Sequence, residues 1–175
     1  MKLVLFPVAL LVVLAAVPVR ADLLDKVKEQ GTNAAKGAAQ KAVVDKVNKK
    51  LLDEGRKNQC AFKVDSDELM AGCDQKLKKL AANLVDAKKA LAQGGVGGGF
   101  KFVVAGHTDS TGDAKHNHEL SERRAASIVK EMVARGVRRD EIVAVGYGSE
   151  HMLVKPDNTD AKKAKNRRYE IQVQI

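Results

Sequence analysis

Apolar residues follow three rhythms along this chain. Leu3 to Val19 is a nearly unbroken apolar run behind Lys2. Residues 22–56 then place Leu24, Val27, Ala34, Ala38, Val43, Val47 and Leu51 at helical spacings on a polar background. Gly31 and Gly37 weaken the first half of that stripe, and its alanines are too small to build a core alone. The segment reads as a helical arm or spacer, with a coiled coil or membrane-surface contact as lesser uses. From Asn58 onward short strands alternate with helices.

Cys60–Val64 reads as the first strand. Asp65 or Ser66 can cap a helix striped by Leu69, Leu77, Leu80, Leu84 and Leu91, which Gly94-Gly95 stops. Phe100–Ala105 is almost wholly apolar, as a strand inside a sheet should be. A second helix is predicted from about His118 to Arg135, with Gly136 behind it, and Ile142–Val145 is a third strand. Tyr169, Ile171, Val173 and Ile175 alternate with Arg168, Glu170, Gln172 and Gln174, so the last strand has one wet face. The expected class is α/β (α+β): a βαβαβ-β mixed four-stranded sheet covered by helices, preceded by the helical arm.

The first apolar run adds an address. Lys2, the apolar stretch, Pro18 and the Val19-Arg20-Ala21 step match a secretory signal peptide over residues 1–21. The rival is an uncleaved anchor, for which the run is short and interrupted by Pro7. Export puts Cys60 and Cys73 in an oxidising compartment, where an even count suggests a disulfide; two free buried thiols are the alternative. Met70-Ala71-Gly72-Cys73 mimics a lipoprotein processing site, but Asp65, Asp67 and Glu68 occupy the place of its apolar segment.

With 45% hydrophobic and 30% charged residues in 175, the chain can bury one domain-sized core. Its formal charge of +9 is spread along the length, which argues against a nucleic-acid footprint and suits an anionic envelope polymer. No nucleophile–base pair, metal tetrad or convincing carboxylate pair is visible, so no enzyme and no cofactor are predicted. His107, His116 and His118 are close in sequence, but loop histidines are as a rule solvated, and no metal is assigned. The Gly106-His107-Thr108-Asp109 loop leads into the helix bearing Arg123-Arg124. That brings Asp109 and Arg124 to the carboxyl edge of the sheet, where α/β folds bind ligands. A carboxylate beside a guanidinium matches a zwitterion, unless the two only pair with each other. Thr108 and Asn117 would fix the loop and supply hydrogen bonds, while Gly106 and Gly112 let the backbone turn or approach a ligand closely.

Residues 57–175 resemble the OmpA-like peptidoglycan-binding domain family. The likeness rests on Gly106-His107-Thr108-Asp109, Gly112, Asn117, Leu120-Ser121-Glu122-Arg123-Arg124-Ala125, Gly146-Tyr147-Gly148 and Asn166-Arg167-Arg168-Tyr169-Glu170-Ile171. The resemblance implies noncovalent binding of the diaminopimelate of the peptidoglycan stem peptide by Asp109 and Arg124, with Thr108, Asn117 and Arg167 completing the ligand-binding set. It further implies a periplasmic protein of a Gram-negative envelope, associated with peptidoglycan and the outer membrane; the 22–56 arm lies outside the resemblance, and outer-membrane or other envelope proteins are candidate partners for it, with its contact left open by the sequence. A membrane-anchored, stator-like tether with an uncleaved N-terminal helix is the alternative. His116 and Lys163 depart from the family's usual tyrosine and arginine, and the loop from Gly148 to Pro156 is longer than usual.

Overall fold

The computed structural model describes residues 19–175, so the signal-peptide expectation lies, for residues 1–18, outside the described residues. Two compact units divide at Gly37 and Ala38. In the first, the described residues belong to helix α1 (Val19–Lys57), and 28–37 are exposed. Among the described residues no helix is long and apolar enough to cross a membrane.

The second unit holds α2 (Asp74–Gln93), β1 (Lys101–His107), α3 (Ala114–Ala134), a 3-10 turn at Arg139–Glu141, β2 (Ile142–Gly146), α4 (Asp160–Asn166) and β3 (Arg168–Gln174). The sheet has three strands in the order β2-β1-β3. β1 runs parallel to β2, Val104 opposite Ala144, and antiparallel to β3, Val104 opposite Ile171. Flanked on both edges, β1 is buried from Phe102 to His107, which is why its sequence is apolar without alternation. The leucines of α2 and Ala125, Ile128 and Met132 of α3 close over Phe102, Val104, Ile142, Tyr169 and Ile171. Val44, Val47 and Leu51 join the same core. The compact unit begins at Ala38: large residues replace alanine in the second half of the α1 stripe and bury there.

The fourth strand expected at 60–64 is absent. Phe62 makes one antiparallel bridge to Leu69, and Val64 is 97% exposed. Residues 61–70 fold back as a small hairpin in which the Lys63 N–H donates to Glu68 O and the Met70 N–H to Ala61 O. The helix expected from Asp67 consequently starts at Asp74, although Leu69 still packs against the core. Two side-chain amides occupy the β3 edge that a fourth strand would use. Gln59 Oε1 accepts from the Tyr169 N–H and its Nε2 donates to Tyr169 O; Asn48 does the same for Val173. Each amide supplies the donor–acceptor pair of a peptide group.

The disulfide expectation is corrected as well: Cys60 and Cys73 are free, buried thiols. Their bridging geometry required a strand at 60–64 beside a helix already climbing at 73, whereas Cys73 precedes α2 and its carbonyl faces Cys60 Sγ at 3.8 Å. Burial first, then the neighbouring Cys73, pushes the Cys60 thiol up to about 12. Native protein at pH 8 should resist alkylation at both positions and take two labels in denaturant without reductant. A chain that stays unlabelled when unfolded would carry the bridge after all.

Candidate functional site

The carboxyl ends of β1 and β2 are zipped together by the Thr108 N–H donating to Gly148 O at 2.8 Å and the Tyr147 N–H to Gly106 O at 3.0 Å. From this edge the chain passes through Asp109 to Asp113, whose side chain caps α3 by accepting from the His116 N–H. The helix therefore starts four residues earlier than its apolar stripe suggests, at Ala114 instead of His118. Gly112, at φ +92, makes the turn, and Asn117 Nδ2 donates to Thr111 O at 2.9 Å, tying α3 to the loop. Ser121 Oγ donates to His118 O and accepts from the Gly148 N–H, tying α3 to the loop after β2.

Asp109 is 7% exposed. Its Oδ1 accepts from the Thr111 N–H at 2.9 Å and its Oδ2 from Arg167 Nη1 at 2.6 Å. Burial raises this carboxyl, but the bonds from Arg167 and Thr111 outweigh it and hold the group below the usual range. Arg124 is 8% exposed and lies 5.2 Å over the Phe62 ring, with Nε donating to Ser66 O at 2.8 Å and Nη2 to Lys63 O at 3.2 Å. Burial and then the Arg167 charge depress it, while Asp65 and Asp109 act in the opposite sense. The two groups thus feel one another without forming the mutual salt bridge weighed from the sequence. Each is held from behind: Asp109 by Arg167, Arg124 by the carbonyls of the 61–70 hairpin. A guanidinium has five N–H donors, and Arg124 spends two on these carbonyls, so three remain for a further acceptor. Beside Asp109 the hydroxyl of Thr108 is buried without a hydrogen-bond partner. Both Asp109 and Arg124 sit deeper than a cleft edge, because the hairpin and α4–β3 junction close over them.

Other parts of the site had no role in the sequence reading. Asp157 accepts from the Ser110 N–H and Oγ, and from Asn166 Nδ2. Asn166, fully buried, also accepts from Leu153 and Val154 N–H groups and donates to Val154 O. These two side chains pin the long 149–158 loop against the Asp109 loop. Bonds from Ser110 and Asn166 pull the Asp157 carboxyl down to about 2. His116 meets Asp65 at 2.6 Å, linking α3 to the hairpin, and the Lys163 side chain has no partner among the described residues. The three histidines do not converge, and among the described residues no three potential metal ligands gather.

His107 is 4% exposed, stacked on Tyr147 at 5.6 Å, with both ring nitrogens unpartnered. Burial, then the Arg168 charge, lowers it to about 4, while Glu170 opposes and His151 adds to the lowering. The unfolded chain protonates near 6.5, so between those values it binds more protons than the fold, and stability falls as pH drops from about 6.5 to about 4. With Tyr147 half-buried and His151 exposed beside the ring, the loss should be on the order of 2 kcal/mol. Denaturant titrations across this range should show that slope, and His107→Phe should remove it. An unchanged slope in the variant would assign the acid response elsewhere.

A model of the OmpA family matches residues 61–167. Outer membrane porin F of Pseudomonas fluorescens is 46% identical over 71 residues, which cover 41% of this chain and 22% of that protein. The peptidoglycan-associated lipoprotein of Legionella pneumophila is 39% identical over 75 residues, 41% of this chain and 40% of the lipoprotein. The chain thus spans less than half the length of either relative. In fold it is similar to the peptidoglycan-associated lipoprotein of Burkholderia pseudomallei, with a TM-score of 0.53 at 24% identity over 66% of this chain and 89% of that one. The C-terminal domain of Helicobacter pylori MotB gives a TM-score of 0.54 at 22% identity, over 67% and 84%.

Proposed function

The chain belongs to the OmpA family, and from that premise we propose that it binds peptidoglycan noncovalently in the cell envelope, through the diaminopimelate of the stem peptide. The reading is of a binding domain and not an enzyme. What carries it is the Asp109–Arg124 arrangement: a carboxylate held ionised and a guanidinium, each fixed from behind, each acting on the other, with bonding capacity left in front. Asp109 takes the ammonium of the side-chain terminus and Arg124 its carboxylate, with the unpartnered Thr108 hydroxyl beside them. Asn117 keeps the loop in shape and Arg167 keeps Asp109 charged. Two relatives have peptidoglycan association in their names. One such site is weak, since few ion pairs contribute, and retention on the wall comes from repeated sites along the polymer. Residues 28–39, exposed along α1, are the segment we assign to contacts with other envelope proteins.

The test is co-sedimentation of the protein with isolated sacculi, in competition with soluble stem peptides. The diaminopimelate peptide should release the protein. An analogue without the amine and carboxylate at the end of that side chain should not. Equal competition by both peptides would refute the diaminopimelate assignment, and absence of co-sedimentation would refute peptidoglycan binding.

A further inference from the structure

We propose that the cavity beside Arg167 is a second subsite, taking the acidic stretch of stem peptide next to the diaminopimelate; this rests on the peptidoglycan reading above. Arg167 faces both places. Its Nη1 holds Asp109, and the same side chain lines a cavity of about 300 Å³ bounded by the end of α1, the loop at Leu153 and the start of β3. The walls include Leu52, Leu153 and Tyr169. Leu153 is 51% exposed, an apolar side chain left half in water.

The charges around this cavity are unbalanced. Arg168 and Glu170 line it as a closed ion pair at 2.9 Å. Arg56 and Lys165 also line it, and neither side chain has a partner among the described residues. Two uncompensated cations over an apolar wall call for an occupant that carries carboxylates and small apolar groups together. The neutral N-acetylated sugars of the glycan offer no carboxylate to meet them. The peptide does: beside the diaminopimelate it carries a glutamyl α-carboxylate and alanine methyls. A peptide whose diaminopimelate is held at Asp109 need only extend past Arg167 to bring those groups to Arg56, Lys165 and Leu153.

Calorimetric titration of the full chain with two probes tests this: free diaminopimelate, and the tripeptide alanyl-γ-glutamyl-diaminopimelate. Arg56→Gln combined with Lys165→Gln should weaken the tripeptide about fivefold, as expected for two partly exposed ion pairs, and leave diaminopimelate within about twofold. Amidating the glutamyl α-carboxylate should cost wild type a similar factor and make it indifferent to the double substitution. A control pair on α2, Lys79→Gln with Lys89→Gln, removes the same charge and should change neither probe. Unaltered tripeptide binding by the double variant overturns the subsite alone, and so does an equal loss in the α2 control. A wild-type chain that binds neither probe overturns the diaminopimelate site and the subsite with it.

Discussion

Asp109→Asn should weaken binding of the diaminopimelate peptide by about ten- to a hundredfold, the span set by losing one charge-assisted contact of roughly 1.5–3 kcal/mol. Asparagine keeps the shape and can still accept from the Thr111 N–H, but it offers the ammonium no charge and releases Arg167. Arg124→Lys should lower affinity at least as much. Lysine keeps the charge, yet it cannot hold Ser66 O and Lys63 O and still present a planar fork to a carboxylate. The two variants differ in what they do to the fold. Arg124 is buried beneath the hairpin, so its loss should also lower stability by about 1–3 kcal/mol, whereas Asp109→Asn should cost about 1 kcal/mol. Peptide titration paired with thermal melts separates the effects. Affinity unchanged in a folded Asp109→Asn protein would rule out the proposed site.

Gly106→Ala should cause the largest loss of stability. Gly106 faces α3, and a Cβ there would collide with the carbonyl of Ser121. Gly146 is as closely placed, with the Glu122 N and His118 O each 2.6 Å from where an added Cβ would stand. The obstacles are backbone atoms of a helix pinned by Ala125, Ile128 and Met132, so neither side can yield cheaply. A penalty of about 3 kcal/mol is expected, lowering the midpoint of thermal unfolding by roughly 10 °C in a chain of this size. Gly98→Ala is the control: nothing lies within 4 Å and the melt should barely move. A Gly106→Ala protein that melts within about 2 °C of wild type would show that α3 does not lie this close to β1.

Much of the fold was legible because it rests on local periodicity. The Leu77, Leu80, Leu84, Leu91 stripe, the apolar run of β1 and the alternation of β3 each follow from which face of an element meets the core. Periodicity also misled at Leu69, which points inward from a bridge as readily as from a helix. Site chemistry was legible in part. Asp109, Arg124 and Arg167 stand in recognisable motifs, but Asp109's partner is Arg167, 58 residues on, and Arg124's partners are backbone carbonyls about 60 residues earlier. Carbonyl acceptors leave no trace in residue identity. Asp157 is similarly silent, for in sequence it reads only as a turn residue after Pro156.

By itself the sequence determined the leucine stripe of α2, the apolar run of β1, the alternation of β3 and the residue types that stand at the carboxyl edge of the sheet. Each depends on side-chain volume, charge or conformational freedom within a few residues. Tertiary structure alone decided the rest: that Asn48 and Gln59 amides take the β3 edge in place of a fourth strand, that Cys60 and Cys73 lie buried and unbridged, that the arm's second half belongs to the core, and that Asp109 and Arg124 are braced by separate partners. Those outcomes are competitions between distant groups for one hydrogen-bonding edge, one apolar surface or one charge. Which competitor wins depends on distances that no local pattern encodes.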